Sequence, residues 1–209
     1  MTQREPAGLS EELFADNLPS ARTPNHLIHG DPFHIGMSTV DDFREIYQYN
    51  WRVLRDYCDA LSKLPPAALV KDREATYHSM KNIFFHVLTV HDGWLNLTAQ
   101  GRSADPKIRE VDEFDDIKTM PPLQAYMEKV IAMEELFLKS LKASDLDRKI
   151  QPSWKKRAHA LRDALMQVTL EQAHHFGELI ALFWQQDVEP LEMTWVDVHM
   201  AIAGELRPS

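Results

Sequence analysis

Four long stretches of this chain repeat apolar residues every three or four positions, the spacing that places side chains on one face of a helix. The predicted helices cover residues 40 to about 64, about 77 to 100, about 121 to 141 and about 156 to 185. A shorter helix is expected after Thr194, and we find no convincing strand pattern and no internal repeat. The sequence therefore predicts an all-α fold: an up-down antiparallel four-helix bundle with an irregular N-terminal arm and a short C-terminal helix.

Local signals mark where these helices begin and end. Thr39 is a good cap for the first helix, and Pro65–Pro66 stops it. Pro121–Pro122 opens the third helix, because proline is favoured in a first helical turn. On that third helix we expect Leu136 and Phe137 to face the core.

The first 37 residues interrupt any regular pattern with prolines and glycines. We interpret residues 1–37 as an irregular arm that wraps the domain or a partner, and residues 38–209 as the bundle domain. The arm contains His26, His29 and His34, which lack the spacing of a metal site and are expected at the surface. The arm and Trp195 are candidates for a homodimer surface.

Charge and cysteine content exclude several classes of protein. The chain has 23 Lys and Arg against 32 Asp and Glu, a net charge of −9, so we expect no nucleic-acid partner. The basic run at residues 155–157 is short and is interpreted as a solvated helix entrance. The single cysteine, Cys58, permits no intrachain disulfide and is expected to be buried. No apolar run approaches ~18 residues, so we expect a cytoplasmic protein with no membrane partner.

The most informative motif lies in the fourth predicted helix, where Glu171 and His175 are four residues apart inside an apolar stripe. Burying a carboxylate and an imidazole is costly unless a partner compensates them. A divalent metal such as zinc or nickel accepts both ligand types at this spacing. The alternative is a Glu–His hydrogen bond inside the bundle core.

A third ligand could come from the second predicted helix, which carries two histidines. By helical angle His91 lies nearer the middle of the apolar stripe and His86 lies towards its edge. Periodicity alone therefore does not select His86 as a ligand.

Two segments resemble a known family. The segment 82–95 is similar to the second helix of DinB-like (YfiT-like) proteins, where a histidine is followed eight residues later by an aromatic. The segment 171–178 resembles the fourth-helix signature of that family, and Tyr49–Trp51 is reminiscent of its first helix. The chain departs from the common pattern at Glu171, Phe176 and Glu178. The resemblance covers about residues 40–190.

The resemblance implies a metal triad at His86, Glu171 and His175, like the His, Glu and His set of mycothiol-dependent maleylpyruvate isomerases. It also implies a DinB-like metal-dependent enzyme that binds a small-molecule substrate. Such an enzyme would be a thiol-dependent S-transferase or isomerase, with zinc or nickel activating a low-molecular-weight thiol. The resemblance further indicates dimerisation.

Other residues are candidates for supporting or pocket roles: Asn50, His91, His174 and Glu178. For His91 a satisfied core histidine, and for His174 a solvent or interhelix hydrogen bond, are the alternatives. No catalytic acid or base can be named. The competing function is a non-enzymatic, stress-associated dimeric bundle that binds a metal or ligand. A di-iron bundle is disfavoured, because no Glu-x-x-His pair is repeated.

Overall fold

Long helices make up most of the chain that the computed structural model describes, which is residues 39–109, 116–191 and 193–205. In chain order the elements are α1 (Val40–Ser62), α2 (Pro66–Leu69), α3 (Met80–His91), a π-helix (Asp92–Thr98), α4 (Pro106–Arg109), α5 (Met120–Ser140), a 3-10 turn (Ala143–Asp147), strands β1 (Lys149–Ile150) and β2 (His159–Ala160), α6 (Leu161–Trp184) and α7 (Trp195–Glu205). The predicted all-α fold is confirmed. The predicted arm and its three histidines lie outside the described residues.

A reciprocal cap begins α1. The Thr39 side chain accepts a hydrogen bond from the backbone nitrogen of Asp42, and the Asp42 carboxylate accepts one from the backbone nitrogen of Thr39. This arrangement satisfies two helix-end donors that would otherwise lack partners. The helix ends before Pro65, as predicted. Cys58 is fully buried on its inner face, as expected from the sequence.

The bundle core lies between two helix pairs. Helix α1 packs against α5, α3 packs against α6, and α7 lies against α1. Aromatic rings fill the core: the rings of Tyr57 and Phe176 join the two pairs with centroids 4.8 Å apart, and Phe176 stacks on Phe84 within the α3–α6 pair at 6.3 Å. Within the described residues, no helix has both the length and the apolar character required to cross a bilayer.

Helix α3 begins at Met80, three residues later than predicted, because the Ser79 side chain caps it and His78 has a left-handed backbone (φ 65°). The π-helix that continues α3 contains the buried carboxylate of Asp92. That carboxylate accepts hydrogen bonds from the Tyr126 hydroxyl at 2.9 Å and the Ala104 backbone nitrogen at 2.7 Å, and from Asn96 and Ser103. These donors make its burial tolerable.

Helix α6 begins five residues later than the predicted start near residue 156. Strands β1 and β2 pair antiparallel, with Ile150 opposite His159, and this pairing holds residues 159–160 in an extended conformation. The Asp163 carboxylate then accepts a hydrogen bond from the backbone nitrogen of Ala160 at 3.3 Å and caps the helix.

The inward face of α5 differs from the prediction at one position. Leu136 is 66% exposed, so the expectation that it faces the core is wrong. Glu134 is fully buried instead, because Trp51 and His91 supply hydrogen bonds to its carboxylate. A hydrophobicity pattern predicts that a glutamate side chain is exposed, because it contains no information about hydrogen-bond partners on other helices.

Candidate metal centre

Helices α3 and α6 bring His86, Glu171 and His175 together. One potential ligand atom from each side chain lies within 4.8 Å of the other two. The Nε2 atom of His175 is 3.3 Å from the Oε2 atom of Glu171, and the imidazole rings of His86 and His175 meet edge to face at 4.7 Å. His175 is 4% exposed and the Glu171 side chain 32%. The two imidazoles and one carboxylate are therefore close enough to share one ion.

Residues on α6 hold the two ligands of that helix in place. The Nδ1 atom of His175 is 2.7 Å from the Oε2 atom of Glu178, and the Gln167 amide donates to the Oε1 atom of Glu171 at 2.7 Å. Gln167, Glu171 and His175 follow one another at four-residue spacing, so they lie along one helix face. Partners of this kind orient metal ligands and select the histidine tautomer.

Both ring nitrogens of His175 face carboxylates. An ionised carboxylate only accepts hydrogen bonds, so the Nδ1 atom donates to Glu178 and leaves the Nε2 lone pair opposite Glu171. A lone pair and a carboxylate repel each other unless a cation or a proton lies between them. The site thus fits a divalent metal by its donor chemistry, and an imidazolium between two carboxylates is the alternative.

A loop before α3 covers the triad. The Tyr77 ring stacks on His86 with centroids 4.0 Å apart, and the Tyr77 hydroxyl is 3.1 Å from the Nε2 atom of His86. The Thr76 hydroxyl donates to the Oε1 atom of Glu178. Neither residue is predicted from the sequence, because the helical pattern extends to Tyr77 and a loop residue has no periodic signal.

The surroundings shift the acidity of three groups. Burial, followed by the charge of nearby His175, lowers the pKa of His86 to about 4, so its imidazole is neutral near pH 7. Burial and the charges of Glu171 and Glu178 raise the pKa of Tyr77. Burial alone would raise the pKa of Glu178, but hydrogen bonds from Thr76 and His175 outweigh it and lower that pKa. The neutral imidazole of His86 is the form that ligates metals.

The exposed His174 belongs to a second candidate group. Its ring lies 4.8 Å from that of His175, and His174, His175 and Glu178 also have potential ligand atoms within 4.8 Å of one another. His175 and Glu178 already pair with each other at 2.7 Å. The two groups share His175, so substitution of His86 or His174 distinguishes them.

His91 and Asn50 lie in a buried network away from the triad. The Nδ1 atom of His91 contacts the Glu134 carboxylate at 3.0 Å, and its Nε2 atom lies 2.9 Å from the Oε1 atom of Gln172. The Gln172 amide donates to the backbone oxygen of Asn50, and the Asn50 amide donates to the Thr169 hydroxyl. Within the described residues, the hydrogen bonds of His91 and Asn50 thus connect helices, and none reaches His86, Glu171 or His175.

Two cavities lie along α6, and neither is lined by His86, Glu171 or His175. One, of about 120 Å³, is lined by Trp94, Lys155, His159, Asp163, Ala164 and Gln167. The other, of about 500 Å³, is lined by residues 71–75 and by Glu178, Ala181, Leu182 and Gln185. Gln167 belongs to the first cavity and bonds to Glu171, while Glu178 belongs to the second and bonds to His175. Each cavity is therefore lined by a residue that hydrogen-bonds to one ligand of the triad. The four-residue spacing to Glu171 could have indicated Gln167 from the sequence.

The fold and site together define a helical bundle with a candidate metal centre between two of its helices. The chain matches the family model described as the DinB family over residues 37–205. Because this match spans most of the sequence, the chain belongs to the DinB family. A search of curated proteins found no match.

Proposed function

We propose that this DinB-family chain is a metal-dependent enzyme, a thiol S-transferase or a thiol-dependent isomerase. The observation that carries the proposal is the convergence of two imidazoles and one carboxylate between α3 and α6. Three protein ligands are typical of catalytic zinc sites, which keep a position for water or substrate. Zinc or nickel held by His86, Glu171 and His175 would favour the thiolate form of a small thiol at neutral pH.

The chain's own residues prepare this site. Glu178 accepts the hydrogen bond from His175 and thereby directs the Nε2 lone pair towards Glu171. Gln167 fixes one oxygen of the Glu171 carboxylate and leaves the other facing His175. Tyr77 stacks on His86 and restricts the access of water to that imidazole. These roles are positional, and no side chain is assigned as a catalytic acid or base.

Metal analysis of the purified protein tests the proposal. We expect about one equivalent of zinc or nickel per chain in the wild type and little in His175→Ala or His86→Ala. His174→Ala is the matched control, because it changes the neighbouring histidine and spares the proposed triad. Loss of metal in His174→Ala with retention in His86→Ala would assign the ion to the second group instead.

Metal-free wild-type protein that cannot be reconstituted would overturn the enzymatic proposal. His175 would then be an imidazolium between Glu171 and Glu178, and the protein a ligand-binding or structural bundle. If metal binds, loss of thiol-transfer activity in His86→Ala is the second test, with glutathione and an electrophilic chromogenic substrate as probes.

We also propose that the chain forms a homodimer through α7. This helix presents Val196 and Met200, each more than 60% exposed, beside Trp195 at 39%. Exposed apolar side chains grouped on one helix are typical of interaction surfaces. Light scattering should give twice the chain mass for the wild type and the chain mass for Val196→Glu/Met200→Glu.

A further inference from the structure

The smaller of the two cavities lies along the same helix pair as the triad. The buried residues Trp94 and Ala164 line it, and His159 lies beside Trp94 with ring centroids 5.9 Å apart. Its volume of about 120 Å³ corresponds to roughly four water molecules of about 30 Å³ each. A small polar group of a ligand fits such a space.

The cavity carries one positive and one negative side chain. Lys155 and Asp163 both line it, both are exposed, and among the described residues they form no ion pair with each other or with any other side chain. Asp163 is held by its hydrogen bond from the backbone nitrogen of Ala160, and the Lys155 backbone is held by bonds to Gln151 and Pro152. The Asp163 carboxylate and the Lys155 backbone are therefore both held in place, while the two opposite charges remain unpaired.

Helix geometry sets the distance from this cavity to the triad. Asp163, Gln167 and Glu171 recur every four residues along α6, which corresponds to about 6 Å of rise per step. Gln167 lines the cavity and also donates to Glu171 at 2.7 Å. A ligand that occupies both places needs its charged group roughly 6–12 Å from the atom at the triad.

We propose that this cavity binds the zwitterionic α-amino acid group of the sulfur-containing substrate. Lys155 contacts the carboxylate, Asp163 contacts the ammonium, and Trp94 packs on the carbon chain. A substrate with only an anionic group would be repelled by the Asp163 carboxylate, and a substrate with only a cationic group would be repelled by the Lys155 ammonium. The placement of the sulfur at the triad rests on the proposed function, whereas the charge pairing in the cavity does not.

Calorimetry with S-methylglutathione tests the cavity without using the metal. This thioether has a zwitterionic glutamyl end and cannot supply a thiolate, so it is titrated into chelator-treated protein. Blocking its amine by acetylation, or changing Lys155→Met or Asp163→Asn, should each weaken binding about tenfold, because a charge-assisted hydrogen bond is lost. Lys156→Met is the matched control, since this neighbouring lysine is exposed like Lys155 but does not line the cavity.

The result that overturns the proposal is equal affinity for the free and the acetylated amine, equal losses in Lys155→Met and Lys156→Met, or no binding to the wild type. Circular dichroism of each variant establishes that it is folded. If S-methylglutathione binds as expected but the protein takes up no metal, the proposed enzymatic function fails and the cavity assignment stands. If metal binds but S-methylglutathione does not, the cavity assignment fails and the proposed enzymatic function stands.

Discussion

The Nδ1 atom of His91 lies 3.0 Å from the Oε1 atom of Glu134, and neither side chain is exposed to solvent. The hydrogen-bond network determines how many protons the pair holds. The Gln172 amide donates to a backbone oxygen, so its Oε1 atom faces His91, and the Nε2 atom of His91 must carry a proton. Trp51 donates to Glu134 from the other side. One further proton lies between His91 and Glu134, so the buried pair is neutral as a unit.

Replacement of Glu134 should show what this network contributes to stability. Glu134→Leu leaves the Trp51 donor and the His91 ring without their partner, and we expect a loss of about 3–5 kcal/mol in the free energy of unfolding. Glu134→Gln should cost much less, because the amide can accept from Trp51 and donate to a neutral His91. Urea unfolding followed by circular dichroism measures both.

The same change one residue along the helix is the control. Glu135 is only partly buried, so Glu135→Leu should alter stability by about 0.5 kcal/mol or less. Equal losses at the two positions would contradict a specific role for the buried pair.

The stability of metal-free protein should fall in mild acid through His86. The pKa of this group is about 4 in the folded protein against an ordinary value of 6.5, so the unfolded chain binds more protons between these values. Stability therefore decreases as the pH is lowered from 6.5 to 4, and His86 contributes no pH dependence above that window. His86→Asn should reduce this decrease when unfolding is measured in chelator at several pH values.

His78→Asn provides the comparison for this pH series. The His78 side chain is 73% exposed, and its left-handed backbone tolerates asparagine. It should retain the wild-type slope, and a wild-type slope in His86→Asn as well would exclude His86 as the source.

Cys58 should react slowly with Ellman's reagent in the native protein. Burial, with a smaller effect from the Asp59 charge, raises the pKa of the thiol to about 11, so little thiolate forms at pH 8. Because Cys58 is the only cysteine in the chain, the absorbance change reports on it alone. The urea-unfolded protein should react at the rate of a free thiol. A comparable rate in the native protein would contradict the burial of Cys58 and would mean that α1 separates readily from its neighbours.

Two glycines in helical segments should respond in opposite directions to alanine. A Cβ atom at Gly93 would lie 2.9 Å from the Nη2 atom of Arg109 and 3.0 Å from the ring of Trp154, while one at Gly177 meets no atom within 4 Å. We expect Gly93→Ala to lose about 1 kcal/mol, because the new methyl group displaces the Arg109 guanidinium from its hydrogen bond to the backbone oxygen of Thr89. Gly177→Ala should gain up to about 1 kcal/mol from helix propensity. Thermal unfolding of the two variants, compared with the wild type, tests this difference.

The choice between His86 and His91 shows what sequence periodicity leaves open. The two residues are five positions apart on α3, which separates them by about 140° around the helix axis. His86 consequently faces Glu171 and His175, whereas His91 faces Glu134 and Gln172. The rotation of α3 about its own axis decides which of the two histidines faces Glu171 and His175. The apolar pattern of a single helix does not specify that rotation.

The sequence by itself determined the features that arise within one helix: the four long helices, the Thr39 cap and the shared face of Glu171 and His175. These depend on residues three or four apart, whose geometry a helix sets alone. Only the tertiary structure decided that Glu134 is buried and that the Tyr77 loop covers His86. Those outcomes depend on hydrogen bonds and packing between segments distant in the chain, which can make burial of a carboxylate more favourable than its exposure.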